Sequence, residues 1–332
     1  MFKIDPNRRK FIGLAAATLG SAVGIDTISG EAALADDPVS VGVVIPGSIT
    51  DRGWMESGYH GMRAAQQDLG DKIKITSIEN VSMADMEQAL TTLAAANSLV
   101  VGAGGQCESA GYAIAKRFPH VRFSIVGGGG QPPIPNFVVC DVRQAQIGYV
   151  AGVAAAMLSK TAVVSFVGGI ELPPIVNTSI EFGNGARSIN PNIKYLSSLT
   201  GDFDDVAKAK EATLAAIREG ADVHYHIMNL GLRGIEQAAR EKGTHILGSY
   251  VDRCGSDPVY VGFTITGTGH IVEDQINRFL AGTWTPGFLP YGLEAGPTAS
   301  DIVLCQTTPE ISGKIDQVKR DIISGKIKTL PS

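Results

Sequence analysis

Three short stretches carry side chains that could do chemistry. His224 and His226 in "HYH" stand two apart, so on a strand they share one face. Such a pair could begin a zinc site, but no third ligand lies nearby in sequence. Asp202, Asp204 and Asp205 in "GDFDD" cluster carboxylates, and their place before a helical period assigns them to capping that helix. "GAGGQCES", residues 102–109, follows an apolar run and opens a helix, as anion-binding loops do. It spells GxGxxC, however, and no Lys-Ser/Thr follows as in a P-loop. There is no GxSxG elbow, HExxH or other complete catalytic signature, and nothing pairs a nucleophile with a base. The expectation is a protein that binds rather than catalyses, with no cofactor and no metal.

What remains are side chains suited to holding a flat polar molecule. Trp54, in "DRGWMESGYHGM", sits in the first turn of a helix just beyond an apolar strand, beside the core-facing stripe and not on it. It is either a stacking platform at a cleft wall or a rim tryptophan packed on the 46–53 loop. Gln106 and Ser109 on the Gly-rich turn could reach the same cleft, and an amide both donates to and accepts from a heterocycle edge. His226 and Asn229 likewise lie at the carboxyl end of a strand, and Asn177 follows "GGIELPP", another strand-to-helix turn facing the cleft.

The elements that must position these residues alternate. Strands are expected at "VSVGVVIP", "KIKITSIE", "SLVVGAG" and "VRFSIVGG", with helices at 54–69, at "MADMEQALTTLAAAN" and at 107–117. The first helix shows a stripe of Met55, Tyr59, Met62, Ala65 and Leu69. A long small-residue helix, "RQAQIGYVAGVAAAMLSK", leads into a second series of like element order, beginning at "AVVSFVGG". A strand near 259–265 and helices near 268–281 and 310–323 complete the chain. The fold class is α/β, with two doubly wound parallel-sheet lobes around a cleft. Lobe one is expected to comprise 36–141 and 254–284, and lobe two 142–253 and 285–332. Ligands of such sheets bind outside the carboxyl ends of the strands.

Of 332 residues, 44% are hydrophobic and 18% charged, ordinary for a globular chain long enough for two lobes. The net charge is −5 and Lys and Arg are scattered after residue 10, so nucleic acid is not an expected partner. "NRRKFIGLAAATLG" joins Arg8 and Arg9 to a short apolar stretch diluted by Gly, Thr and Ser, and Ala33 and Ala35 precede Asp36 as a cleavage point. This reads as a twin-arginine signal over 1–35 and not as a membrane span, which needs ~20 apolar residues. No Cys adjoins the cleavage point, so the expectation is a soluble periplasmic monomer without a lipid anchor. Cys107, Cys140, Cys254 and Cys305 fit no zinc spacing, and their pairing is open.

Taken together, "TDRGWMESGYHGM", "AKRFPHVRF", "QIGYVAGVAAAMLSKTAVVSFVGG", "FGNGARSINPNIKY", "GDFDD" and "EGADVHYH" resemble the basic membrane protein family of ABC-transporter substrate-binding proteins, whose members include purine nucleoside and nucleobase binders. The resemblance implies a type I periplasmic-binding-protein fold, with a permease and an ATPase as partners. It implies that Trp54 stacks on a purine, and it nominates Asp51 and Phe203 from the matching motifs, with Asp252 as a surviving acidic position. The chain departs from nucleoside-binding relatives at Met55, where they have Asn, at Tyr250, where they are acidic, and at "TIT" (264–266), where they have a Lys. Fewer polar partners for a sugar favour a free nucleobase or related flat heterocycle as ligand. Another small solute, a sugar or an amino-acid-like compound, is the alternative, as is a ligand sensor or cleft enzyme without transport.

Overall fold

The computed structural model describes residues 37–331, so the export signal and cleavage point expected at 1–36 lie outside the described residues. The chain from Asp37 onward forms one compact unit. Its first half runs β1 (Val39–Ile45), α1 (Trp54–Leu69), β2 (Ile73–Glu79), α2 (Met86–Ala96), β3 (Leu99–Gly102), α3 (Glu108–Arg117), β4 (Arg122–Val126) and β5 (Phe137–Asp141). The second runs α4 (Gln144–Leu158), β6 (Val163–Gly168), α5 (Pro173–Ile189), β7 (Lys194–Leu199), α6 (Val206–Arg218), β8 (Val223–Ile227), α7 (Leu232–Lys242) and β9 (His245–Ser249). After these come β10 (Tyr260–Thr266), α8 (Thr268–Leu280), β11 (Gly287–Pro290), β12 (Ser300–Leu304) and α9 (Pro309–Ile323).

Two six-stranded sheets result, ordered β2-β1-β3-β4-β5-β11 and β7-β6-β8-β9-β10-β12. The orders match element for element, and only the β10–β12 pairing is antiparallel. Central strands such as β3 (LVVG) and β5 (FVVCD) are buried throughout, as strands covered by helices on both faces must be. Strand order reverses between β1 and β3 and again between β6 and β8, so each sheet has a switch point at its carboxyl edge.

The expected lobe boundaries shift. The strand 260–266, placed in lobe one from sequence, pairs with β9 in the second sheet, while 287–290, placed in lobe two, pairs with β5 in the first. Helix α8 then packs on α1 through Gly61 and Gly269. The chain therefore passes between lobes after Asp141, after Thr266 and after Pro290. An apolar strand suits either sheet equally well, and which one it joins is fixed by long-range pairing that local pattern does not encode.

Candidate functional site

The loop from Pro46 to Gly53 carries the chain from the end of β1 into α1, at the first switch point. Asp51 is 2% exposed, and its carboxylate accepts the backbone N–H groups of Gly53 (2.8 Å), Met55 (3.1 Å) and Glu56 (3.0 Å). Burial raises its pKa, the three N–H donors oppose that, and the charge of Asp204 across the cleft adds to it. The carboxylate is thus taken up by the orphan N–H groups of the helix start, a capping role in the place where a ligand contact was nominated. Asp51→Ala is expected to lower stability by about 1–2 kcal/mol, read by urea denaturation, and to weaken ligand binding by loosening the turn that carries Trp54.

Trp54 follows directly. Its indole Nε1–H donates to the carbonyl of Ala103 (2.8 Å), just past the end of β3, so the ring spans the β1/β3 switch point. Gly127, just past the end of β4, lies against the benzo edge: a Cβ there would be 3.3 Å from Cζ2, and its φ of +80° suits glycine. From lobe two, Tyr250 meets the indole edge-on, with centroids 5.9 Å apart and planes at 81°. Tyr250 and Arg52 both hold left-handed backbone (φ 70° and 60°), strain of the kind that collects at ligand sites.

The second switch point faces the first. Asn229, just beyond β8, stands opposite Gly53, where a Cβ would come within 3.1 Å of its Oδ1. The backbone N–H groups of Asn229 and Gly231 both donate to the carbonyl of Phe203 (3.0 Å each). The Phe203 ring lies over Gly169 and packs on the lobe-two core, so part of its surface serves the fold. His226 is fully buried; its Nδ1 accepts from the N–H of Met228 (3.3 Å), which leaves Nε2 to carry the proton, and Nε2 has no partner. His224 uses both ring nitrogens, on Ser165 (2.6 Å) and Thr244 (2.9 Å). Among the described residues no three His, Cys, Asp or Glu gather as a metal site.

Burial pushes the His224 pKa down to about 4 and that of His226 down to about 3, the latter with help from the charge of Arg253. Unfolding restores both to an ordinary 6.5, so below that pH the unfolded chain takes up protons that the folded chain refuses. Their contribution to stability is whole above pH 6.5 and is lost as pH falls toward 4 and then 3. The expected limiting slope is about 1.4 kcal/mol per pH unit for each histidine, measured by denaturant unfolding between neutral pH and pH 5, and it should halve in His226→Gln.

Other sequence candidates sit elsewhere. Asn177 donates its side-chain amide to the carbonyl of Pro331 (2.9 Å), fastening the C-terminal tail. Asp252 is exposed and accepts the N–H of Cys254 (2.8 Å), a local turn. Gln106 and Ser109 are exposed on the turn after β3, whose Gly105 approaches the Gly127–Gly128 backbone.

The residues that sequence reasoning missed are the ones crossing the seam. Arg253 is 8% exposed and donates from Nη2 to the carbonyl of Arg52 (2.9 Å) in lobe one. The guanidinium of Arg52 in turn reaches Glu236 of α7 (3.5 Å), which also accepts the hydroxyl of Tyr260 (2.7 Å) and pairs with Arg240 (3.4 Å). A signal existed: the chain carries two Asp-Arg doublets, 51–52 and 252–253, in each of which Asp closes its own turn while Arg reaches the other lobe. Cys254, next to Arg253, forms a disulfide with Cys305 at the end of β12, which pins this loop, whereas Cys107 and Cys140 are buried thiols.

Residues 38–326 match the family described as ABC transporter substrate-binding protein PnrA-like (Bmp). A purine-binding protein of Brucella abortus is 27% identical over 270 residues, covering 80% of this chain and 76% of its own. A nucleoside-binding protein of an ABC transporter in Lactococcus lactis is 27% identical over 308 residues, covering 86% of each chain. A crystal structure of ABC-transporter solute-binding proteins from Aeropyrum pernix superposes with a TM-score of 0.77 at 18% identity, over 89% of this chain and 94% of that one, and shares the type I fold. No helix among the described residues is long and apolar enough to cross a membrane. With two matching sheets, facing switch points and a match over nearly all the described chain, this protein belongs to the PnrA-like family of ABC transporter substrate-binding proteins and is not an enzyme.

Proposed function

We propose that the chain is the periplasmic receptor of an ABC importer, exported by its twin-arginine segment and acting as a monomer, and that it binds a purine nucleobase or related flat heterocycle between its lobes. The observation that carries this reading is Trp54, whose indole is anchored on Ala103 at one switch point and turned toward the other lobe. A flat aromatic fixed there offers a stacking surface worth about 1–3 kcal/mol to a base. The names of the two relatives above support the ligand class. Tyr250 beside the indole, its N–H bonded to the carbonyl of Thr264 (2.9 Å), stands where the resemblance implies an acidic partner for a ribose, which favours a free base over a nucleoside. Asn229 and His226 supply the polar edge, and Gln106 and Ser109 approach from the rim. Hinging at the three interlobe passages closes the cleft, and the closed form presents both lobes to a permease driven by an ATPase.

A thermal-shift screen of residues 36–332, prepared free of ligand, tests this against nucleobases, nucleosides, urate, sugars and amino acids. A ligand at 100 times its dissociation constant stabilises by about 2.7 kcal/mol. Shifts with free bases and not with nucleosides support the reading. Shifts confined to sugars or amino acids overturn the ligand class, and turnover of a bound compound overturns the receptor role.

A further inference from the structure

We propose that the cleft takes its heterocycle as an anion, with the guanidinium of Arg253 as the counter-charge and the Nε2–H of His226 as a second donor. This rests on the reading of the cleft as a site for a flat heterocycle and names the charge state it selects.

Arg253 is 8% exposed, yet among the described residues no carboxylate lies within ion-pair distance of it. The carboxylates of the seam are engaged elsewhere: Glu236 with Arg52, Arg240 and Tyr260, Asp257 with Arg240, Asp51 with the N–H groups of Gly53, Met55 and Glu56, and Asp204 with the N–H of Leu230. The guanidinium has five N–H donors. Nη2 uses one on the carbonyl of Arg52, while Nε is buried with no partner. Beneath it lies the ring of Tyr260, 5.9 Å from the guanidinium carbon, which softens but does not neutralise the charge. A buried cation without a counter-ion is strongly unfavourable unless something else brings the opposite charge.

His226 repeats the pattern one strand over. It is 0% exposed, and its Nε2–H is a second buried donor without an acceptor. Met228, whose N–H bonds to the His226 ring, has its carbonyl 3.6 Å from where a Cβ on Gly53 would stand, and Gly53 adjoins the Arg52 carbonyl that Arg253 grips, so the two groups share one neighbourhood. Neither can accept a hydrogen bond in these forms, so the pair suits a ligand edge rich in acceptors and poor in donors, such as a deprotonated oxo-heterocycle. Charge-assisted bonds of this kind are roughly twice as strong as neutral ones.

The pair also stands beside the stacking surface. Arg253 follows Tyr250 by three residues, and Tyr250 touches the indole; the carbonyl that Arg253 grips belongs to Arg52, two residues before Trp54, a span of at most about 7 Å. A ring lying on Trp54 would therefore present its edge to the guanidinium. Holding the lobes together through Arg52 is a narrower role, which occupies one donor and explains neither the missing counter-charge nor the idle Nε and Nε2.

Calorimetric titration of residues 36–332 with urate, an anion at neutral pH, and with hypoxanthine and adenine, which are neutral there, tests the proposal on the wild-type protein and on Arg253→Gln. The wild type should bind urate at least tenfold more tightly than either neutral base. Arg253→Gln, which keeps a donor for the Arg52 carbonyl, should reduce the urate-to-hypoxanthine affinity ratio at least tenfold. A uniform loss across all three ligands makes Arg253 a latch only and overturns the proposal, as does a wild-type preference for the neutral bases. Should Arg253→Gln fail to fold, the wild-type ranking still decides, and Arg253→Lys, which keeps the charge without the fork, should retain the preference for urate. If no purine binds but orotate does, with the same dependence on Arg253, the purine reading falls and the anion subsite stands. Binding confined to uncharged solutes overturns both.

Discussion

Replacing Trp54 by alanine is expected to weaken binding of the preferred heterocycle by ten- to a hundredfold. The estimate follows from the stacking surface removed, about 1–3 kcal/mol for a base on an aromatic ring, with each 1.4 kcal/mol a factor of ten. The indole also packs on the core of lobe one and bonds to Ala103, so the ligand-free protein should lose stability as well, by about 1–3 kcal/mol. Trp54→Phe separates the two effects. It keeps a ring for stacking and gives up the Nε1–H bond, so it should retain affinity within about tenfold while losing about 1 kcal/mol of ligand-free stability. Calorimetry paired with urea denaturation of both variants reads the outcome. If Trp54→Ala keeps its affinity and loses only stability, the indole is a rim packing residue and the stacking role is gone.

That Trp54 could be singled out from sequence has a physical cause. A large aromatic in the first helical turn after a buried strand lies beyond the core stripe, and the switch-point geometry of a doubly wound sheet then places it in the crevice. His226, the next-to-last residue of β8, and Asn229, two residues beyond its end, could be placed at the carboxyl edge for the same reason. Local pattern also gave the cluster of carboxylates at 202–205 its capping role, and Asp205 does accept the N–H of Lys208 at the start of α6. The resemblance, not local pattern, nominated Asp51 and Asp252, and each closes a turn, as an Asp two residues before a free N–H does in any fold. Local pattern failed where a role depends on the other lobe. Arg253 finds the Arg52 carbonyl across 201 residues of sequence, and Tyr250 finds Trp54 across a similar gap. The Asp-Arg doublets mark the two arginines but not the partners they find, and Tyr250 drew notice only as a departure from the family pattern. The short strands β5, β11 and β12 escaped likewise, because four or five residues carry little periodicity and their identity comes from the sheet that receives them.

The largest expected effect on the fold itself is at Gly152. Helix α4 carries the chain from lobe one into lobe two, is buried on nearly every side, and packs along α5 with backbones in direct approach. A Cβ on Gly152 would stand 2.0 Å from the carbonyl oxygen of Phe182 and 2.9 Å from the N–H nitrogen of Ala186. The close approach is reciprocal, for a Cβ on Gly185 would lie 2.0 Å from the carbonyl oxygen of Tyr149. Both obstacles are backbone, so no rotamer change relieves them and the helices must part. Parting them disturbs Phe182, whose ring stacks on Tyr225 at 5.4 Å in the lobe-two core. Alanine gains about 1 kcal/mol over glycine in helix propensity, but that gain is outweighed by overpacking against a rigid partner. Gly152→Ala should therefore lose at least about 3 kcal/mol net, a fall in Tm of at least roughly 5 °C at this chain length. Gly313, in α9, has open space where its Cβ would go, so Gly313→Ala should hold or raise Tm by about 1–2 °C through propensity alone. Equal melting temperatures for wild type and Gly152→Ala would mean that α4 and α5 can separate without cost, and that their contact does not set the stability of lobe two.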